Sequence, residues 1–228
     1  MNHTMNESLV IRLMNKEDVD EVSQLLAKVF SEKEPCCSYL KVPCEDFYII
    51  AKRITNRCAE EELSFVCLDT KLQEGEQIIG FRLSHTLRLN DIKEELEDEK
   101  VDFDSRSAFF SLTNALKREW FKIHSDEKEA KCFYFITLGI KNGYENKGIA
   151  TKLVKISLKH AKSKGFDYVF VICTASATQH IFEKKYNFKA VIIKEYENIE
   201  YRGIKFLNGI GDPKNMICYE LDLKKYSA

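Results

Sequence analysis

Proline and glycine are scarce, three and nine residues in a chain of 228. That scarcity excludes a collagen-like, low-complexity or largely disordered protein. No stretch approaches the roughly 18 uninterrupted apolar residues of a membrane helix, so no membrane partner is expected. An excess of either charge is also missing. Lys and Arg number 35 against 36 Asp and Glu, a formal net charge of −1. Nucleic-acid binders usually show a clear basic surplus, so none is expected as a partner. The opening residues Met1 to Ser8 lack the basic start and apolar run of a secretory leader. Without one, the eight cysteines read as reduced thiols of a cytosolic or nuclear protein, and the expected location is the cytoplasm. Cys36 and Cys37 are adjacent, Cys44 follows seven residues later, and no CxxC pair occurs, so no metal centre is expected.

What is present is a balanced globular composition, 44% hydrophobic and 31% charged. A chain this long buries most of its apolar surface without disulfides. Strand and helix signals alternate from end to end with no Pro/Gly/Ser-rich linker, which predicts one mixed α/β domain over residues 1–228. Val10, Ile11 and Leu13 form a β-prone run. Asn15 and Asp18 have the spacing of a loose capping box, ahead of Val19, Val22, Leu25, Leu26, Val29 and Phe30 at helical intervals. That helix should end before Pro35, because the residue preceding proline is pushed from the α region. Phe47, Ile50, Ala51, Ile54 and Cys58 mark a second helix. Leu63–Leu68 and Gln77–Leu87 read as a hairpin, and Phe109, Leu112, Leu116 and Trp120 as a further helix face. Residues 91–104 are strongly acidic, a pattern of either a solvated segment or an amine-attracting rim.

The second half carries more information. Phe133–Ile140 is almost continuously apolar, as expected of a strand covered on both faces. A helix follows with Ala150, Leu153, Val154, Leu158 and Ala161 inward and four lysines outward. Tyr168–Ile172 is again a buried-type strand, and strand–helix–strand order makes the two strands parallel. Ala175–Lys185 reads as helix and Phe188–Ile193 as strand. Ile217, Tyr219, Leu221 and Leu223 alternate as a half-exposed strand should.

Between the buried strand and the lysine-faced helix lies Glu145-Asn146-Lys147-Gly148-Ile149-Ala150-Thr151. A strand-to-helix turn there presents unpaired backbone N–H groups at a helix N-terminus, where they and the helix dipole favour an anion. Gly148 and Ala150 leave room for a pyrophosphate to reach the backbone. An ordinary connection with a convenient glycine has the same sequence.

Leu138-Gly139-Ile140, this turn, the helix to Lys162, Val169–Cys173 and Ile181–Phe188 together resemble the acetyl-CoA-binding core of the GNAT N-acetyltransferase superfamily. The usual turn of that family reads Q/R-x-x-G-x-G/A. Here Gly148 and Ala150 match, Glu145 stands where Gln or Arg is customary, and Asn146 where a glycine often stands. The resemblance implies a central mixed sheet of about seven strands, with splayed parallel strands 4 and 5, flanked by helices. It further implies acetyl-CoA as co-substrate, bound by Leu138, Gly139 and Ile140 and by Glu145, Asn146, Lys147, Gly148, Ile149, Ala150 and Thr151. In that family the pantetheine arm pairs like an added strand with Gly139 and Ile140, and the Ile140 N–H polarises the thioester carbonyl.

A narrower similarity is to the insect-type arylalkylamine (dopamine-like) N-acetyltransferases. That branch ends its first helix in F-x-x-x-E-P, and this chain has Phe30-Ser31-Glu32-Lys33-Glu34-Pro35. The branch also carries two hydroxyl residues four apart after the fifth strand, matched here by Thr174 and Thr178 where serine is usual. Phe182 replaces the tyrosine that protonates the leaving thiolate in many other members.

The implied chemistry makes definite demands. An alkylamine arrives as an ammonium with a pKa near 10.4 and must lose a proton before it attacks. Glu34, fixed at the helix exit by Pro35, is the implied base. On its residues alone it reads as a solvated loop glutamate. A thiolate of pKa about 8.5 needs only weak proton assistance. Thr178, and less directly Thr174, are implied in proton relay or substrate positioning, although capping of the next helix is the natural job for Thr174. The expected function is acetyl transfer from acetyl-CoA to a small-molecule primary amine of the arylalkylamine or polyamine kind, by direct attack in a ternary complex. Transfer to a peptide or protein amine and a catalytically silent acyl-CoA-binding module are the alternatives. Oligomeric state is not encoded in any motif, and a monomer is the expectation.

Overall fold

The computed structural model describes residues 8–89, 92, 105–127 and 129–226. Seven strands, β1 (Leu9–Leu13), β2 (Phe65–Asp69), β3 (Ile78–Leu87), β4 (Cys132–Ile140), β5 (Tyr168–Cys173), β6 (Lys189–Glu195) and β7 (Asn215–Asp222), form one sheet. The order is β1-β2-β3-β4-β5-β7-β6, with β4 and β5 parallel. The helices are α1 (Val19–Lys33), α2 (Pro35–Tyr39), α3 (Cys44–Glu60), α4 (Ser105–Ile123), α5 (Ile149–Ser163) and α6 (Ser176–His180). The mixed α/β class and the strand count agree with the sequence. Apart from buried Ile92, the acidic stretch 91–104 lies outside the described residues.

The chain divides into two compact units, Met1–His85 with Phe135–Gly165, and Thr86–Tyr134 with Phe166–Ser227. In the first unit the Asn15–Asp18 capping box forms as its spacing predicts. Asn15 Oδ1 accepts from the Asp18 N–H at 3.2 Å and Asp18 Oδ2 from the Asn15 N–H at 2.9 Å. The box closes a single 3₁₀ turn, Lys16–Asp18, which leads into α1. One face of α1, with Val22, Leu25, Leu26 and Val29, packs with Phe47, Ala51 and Cys58 of α3 and with Val66, Phe81 and Leu83 of the sheet. A second cluster joins Phe65, Cys67 and Ile79 to Ile149 and Leu153 of α5. Helices therefore cover both faces of this part of the sheet, which is why β2 and β3 read as apolar runs. The ladder between β2 and β3 slips at Cys67/Leu68, so that Ile79 is the extra residue of a bulge.

In the second unit β7 pairs antiparallel with both β5 and β6. The strand is half-exposed as expected, but the phase of its alternation differs from the predicted Ile217, Tyr219, Leu221, Leu223 stripe. Met216, Cys218 and Tyr219 are buried while Ile217 and Leu221 are only partly covered. The helix predicted over 175–185 begins as α6 and continues as a π-helical turn, Ile181–Lys185. Trp120 of α4 donates to Glu220 Oε2 at 2.7 Å, and His124 Nε2 meets the same oxygen at 2.5 Å, which ties α4 to β7.

Candidate active site

Pro35 shapes the end of α1. Glu34, immediately before it, adopts φ −71° and ψ 123°, the extended conformation that proline imposes on its predecessor. Its N–H still donates to Phe30 O at 3.1 Å, so α1 closes normally. Pro35 then opens α2 at the first helical position, where a missing N–H costs nothing. The Glu34 side chain folds over that new helix and Oε2 accepts from the Cys37 N–H at 2.6 Å. The carboxylate thus serves as an N-cap and gains from the helix dipole. Glu34 is only 9% exposed, and Oε1 has no hydrogen-bond partner among the described residues. One oxygen is fixed and the other remains available to accept a proton. Beneath it, burial and then the Glu34 charge hold the Cys37 thiol far above its ordinary pKa, so it is no nucleophile at neutral pH.

The segment Lys141–Gly148 is the turn expected from the sequence. Gly148 precedes α5 with φ +75°, a left-handed conformation that glycine adopts without strain, and a Cβ there would meet no atom within 4 Å. The first helical bond is Lys152 N–H to Gly148 O at 3.0 Å, so the helix ladder leaves the Ile149 and Ala150 N–H groups unpaired. Asn146 also has positive φ, at 59°. Tyr144 anchors the turn to β2 through its hydroxyl, which donates to Asp69 Oδ2 at 2.9 Å. The Lys147 ammonium sits 4.5 Å from the Tyr144 ring centre and keeps a positive charge at the turn.

Glu145 is turned back into the protein's own contacts. Its Oε1 pairs with Lys33, and its Oε2 accepts from the Gly143 N–H at 2.7 Å. The Lys33 hydrogen bond, with help from backbone donors, lowers its pKa to about 2. A second link runs alongside, from Asn142 Nδ2 to Glu32 Oε2 at 3.1 Å. The last turn of α1, immediately before Glu34, is therefore clasped to the turn before α5. Sequence reasoning missed Lys33. It stands inside the F-x-x-x-E-P segment, but its partner is 112 positions away.

At the end of β4, Lys141 N–H bonds to Ile79 O at 2.8 Å, so by strand alternation the Ile140 N–H points away from β3. The side chains of Leu138 and Ile140 pack with Ile149 and Leu153. The same alternation turns the main-chain groups of Gly139 toward β3. Gly139 also has a job in packing. A Cβ on it would lie 2.3 Å from Phe81 Cζ, so the glycine is what lets the Phe81 ring lie against β4.

The hydroxyl pair belongs to the second unit. Thr174 does not cap α6; the N-cap is Ala175, with no side-chain bond, and Thr174 contributes its carbonyl to the Tyr196 hydroxyl at 3.1 Å. Thr178 Oγ1 donates to Ala175 O at 2.8 Å, which leaves its lone pairs as acceptors. Phe182 is fully buried, edge-on to Phe188 at 5.0 Å, and supplies no proton.

The first unit thus brings together a strand end, a glycine turn that opens a helix, and a carboxylate that caps α2. A model of the acetyltransferase (GNAT) family matches residues 26–188, and the chain belongs to that family of N-acetyltransferases. The fold is similar to that of a mosquito arylalkylamine N-acetyltransferase like 5b, at 13% identity over 94% of this chain and 100% of that one, with a TM-score of 0.81. Arylalkylamine N-acetyltransferase 2 from Aedes aegypti superposes at 0.79, with 16% identity over 96% and 100% of the two chains. A Drosophila melanogaster polyamine N-acetyltransferase that forms N-acetylagmatine matches at 0.77, with 13% identity over 94% and 99%. Among the described residues no helix is long and apolar enough to cross a membrane.

Proposed function

We propose that residues 1–228 act as one acetyltransferase domain that moves acetyl from acetyl-CoA to the primary amine of a small molecule of the arylalkylamine or polyamine class. The observation that carries this reading is the half-satisfied, buried carboxylate of Glu34, next in sequence to the Lys33 that pairs with Glu145 of the turn. Similarity to enzymes named for arylalkylamines and for a polyamine supports the choice of acceptor.

The residues present fit the donor. Gly148 is open on the side where a Cβ would project, the Ile149 and Ala150 N–H groups begin α5, and the Glu145 charge is taken up by Lys33. These groups, with Asn146, Lys147 and Thr151, would hold the pyrophosphate, and β4 at Leu138–Ile140 would hold the acyl arm. Acetyl-CoA, when bound, supplies an activated thioester carbonyl. The Ile140 N–H, directed away from β3, is the donor positioned to polarise a carbonyl along that edge. Glu34 Oε1 accepts the proton of the incoming ammonium, while Oε2 stays fixed by Cys37 so the carboxylate does not swing. Thr178, with its proton directed at Ala175 O, acts as an acceptor that positions substrate.

Eight free cysteines, seven of them buried, suit a reducing compartment and support a cytoplasmic location. The test is thiol release from acetyl-CoA across a panel of tryptamine, dopamine, agmatine and N-terminal peptides. Release with the small amines and not the peptides is expected. Release with peptides alone, or with no acceptor at all, overturns the proposal.

A further inference from the structure

The Lys33–Glu145 pair is the feature of the turn that neither the anion-binding geometry nor the base requires. A carboxylate beside a helix start that receives an anion opposes the ligand's charge. Two other cations lie along the same segment, each with a partner other than Glu145. Lys147 lies over the Tyr144 ring, and Lys141 Nζ donates to Glu76 O at 3.1 Å. Lys33 is the cation that bonds the carboxylate, and the Gly143 N–H holds the other oxygen, so Glu145 is gripped from both ends. The pair is half-exposed, 39% on each side chain, where the stabilising effect of an ion pair on the fold is small. Its consequence for charge at the turn is larger.

We infer that Lys33 is a positioning residue for acetyl-CoA, acting through Glu145: it neutralises and turns aside the carboxylate that would otherwise repel the pyrophosphate. This rests on the reading that the turn binds acetyl-CoA. A simple strut and a charge screen make different predictions for the two halves of the pair. In a strut, loss of either partner weakens the turn alike. In a screen, loss of the cation leaves a bare carboxylate, whereas loss of the carboxylate removes the repulsion itself.

Calorimetric titration of acetyl-CoA into the wild type, Lys33→Met, Glu145→Gln and the double variant separates these cases. Lys33→Met should weaken binding by about 3- to 10-fold, the scale of one unscreened charge near the surface. Glu145→Gln should bind as tightly as the wild type or tighter, and the double variant should recover most of the loss. The Lys33→Met deficit should shrink with added salt, since exposed charges are screened over about 10 Å at 0.1 M. Lys33→Arg, which keeps the charge, should bind within about twofold of the wild type, and thermal melts of each variant verify folding. Equal weakening by both single variants, with no recovery in the double, overturns the inference while leaving the acetyl-CoA reading intact. A wild-type protein that fails to bind acetyl-CoA overturns that reading and the inference with it.

Discussion

Glu34 caps the helix that begins one residue after it, with Oε2 2.6 Å from the amide nitrogen of Cys37. In the proposed function the same side chain holds structure with one oxygen and accepts a proton with the other. The two roles separate by substitution. Glu34→Gln keeps an oxygen for the Cys37 N–H but removes the base, so turnover at neutral pH should fall by about 10²–10⁴-fold with little change in melting temperature. Glu34→Ala should lose a similar factor and also about 1 kcal/mol of stability from the missing cap, a shift of roughly 2–4 °C. Differential scanning calorimetry and steady-state rates on both variants check this. Equal rates in wild type and Glu34→Gln would remove Glu34 from catalysis.

Gly139 should be intolerant of any side chain. Because its Cβ would meet the buried Phe81 ring at 2.3 Å, Gly139→Ala should destabilise by about 1–3 kcal/mol in chemical denaturation. Phe81→Leu in the same chain should recover part of that loss, since the two positions share one space. A stability unchanged in Gly139→Ala would show that the ring is free to move.

Protonation of Glu145 gives a pH test with a defined sign. Its pKa lies at about 2, below the ordinary 4.5, chiefly through the Lys33 hydrogen bond. A depressed carboxylate contributes stability that is complete above the unfolded value and is lost as pH falls through the folded one. The clasp should hold unaltered at pH 5 and above and weaken only between about 4.5 and 2. Carboxyl carbon chemical shifts, assigned by difference with Glu145→Gln, should show this low midpoint, and Lys33→Met should raise it. A midpoint at the ordinary value in the wild type would mean that the pair does not persist in solution.

Cys44 is exposed and the other seven cysteines are buried, with burial pushing the Cys67 thiol to about 11 and that of Cys58 to about 12. Thiolate is the reactive form, so brief treatment of the native protein with iodoacetamide should label Cys44 first and singly. Peptide mass mapping reads the site. Rapid labelling of Cys37, beside Glu34, would contradict the packing described for α2.

Much of this fold is written locally. The Asn15–Asp18 box, the α1 stripe and the apolar run ending in Ile140 each encode their element within a few residues, and so all were legible. Pro35 was legible as the stop of α1 but not as the start of α2, because a proline that breaks one helix equally suits the first position of the next. The place of β7 between β5 and β6 was hidden because neighbours in a sheet are set by tertiary pairing, not by local pattern. At the site, Glu34 and the glycine turn stood out as motifs. Their connection did not, since Lys33 meets Glu145 only once α1 and the end of β4 are folded together. Nor could the sequence show which way Gly139 faces, a matter of strand phase.

Stabilisation of the folded chain by acetyl-CoA tests the account most directly. A ligand at a hundred times its dissociation constant should add about 2.7 kcal/mol to unfolding, a rise of roughly 5–11 °C in melting temperature for a chain of this size. An upward shift that saturates with acetyl-CoA concentration and is reduced in Lys33→Met is the predicted result. A melting temperature that does not move in millimolar acetyl-CoA would contradict it.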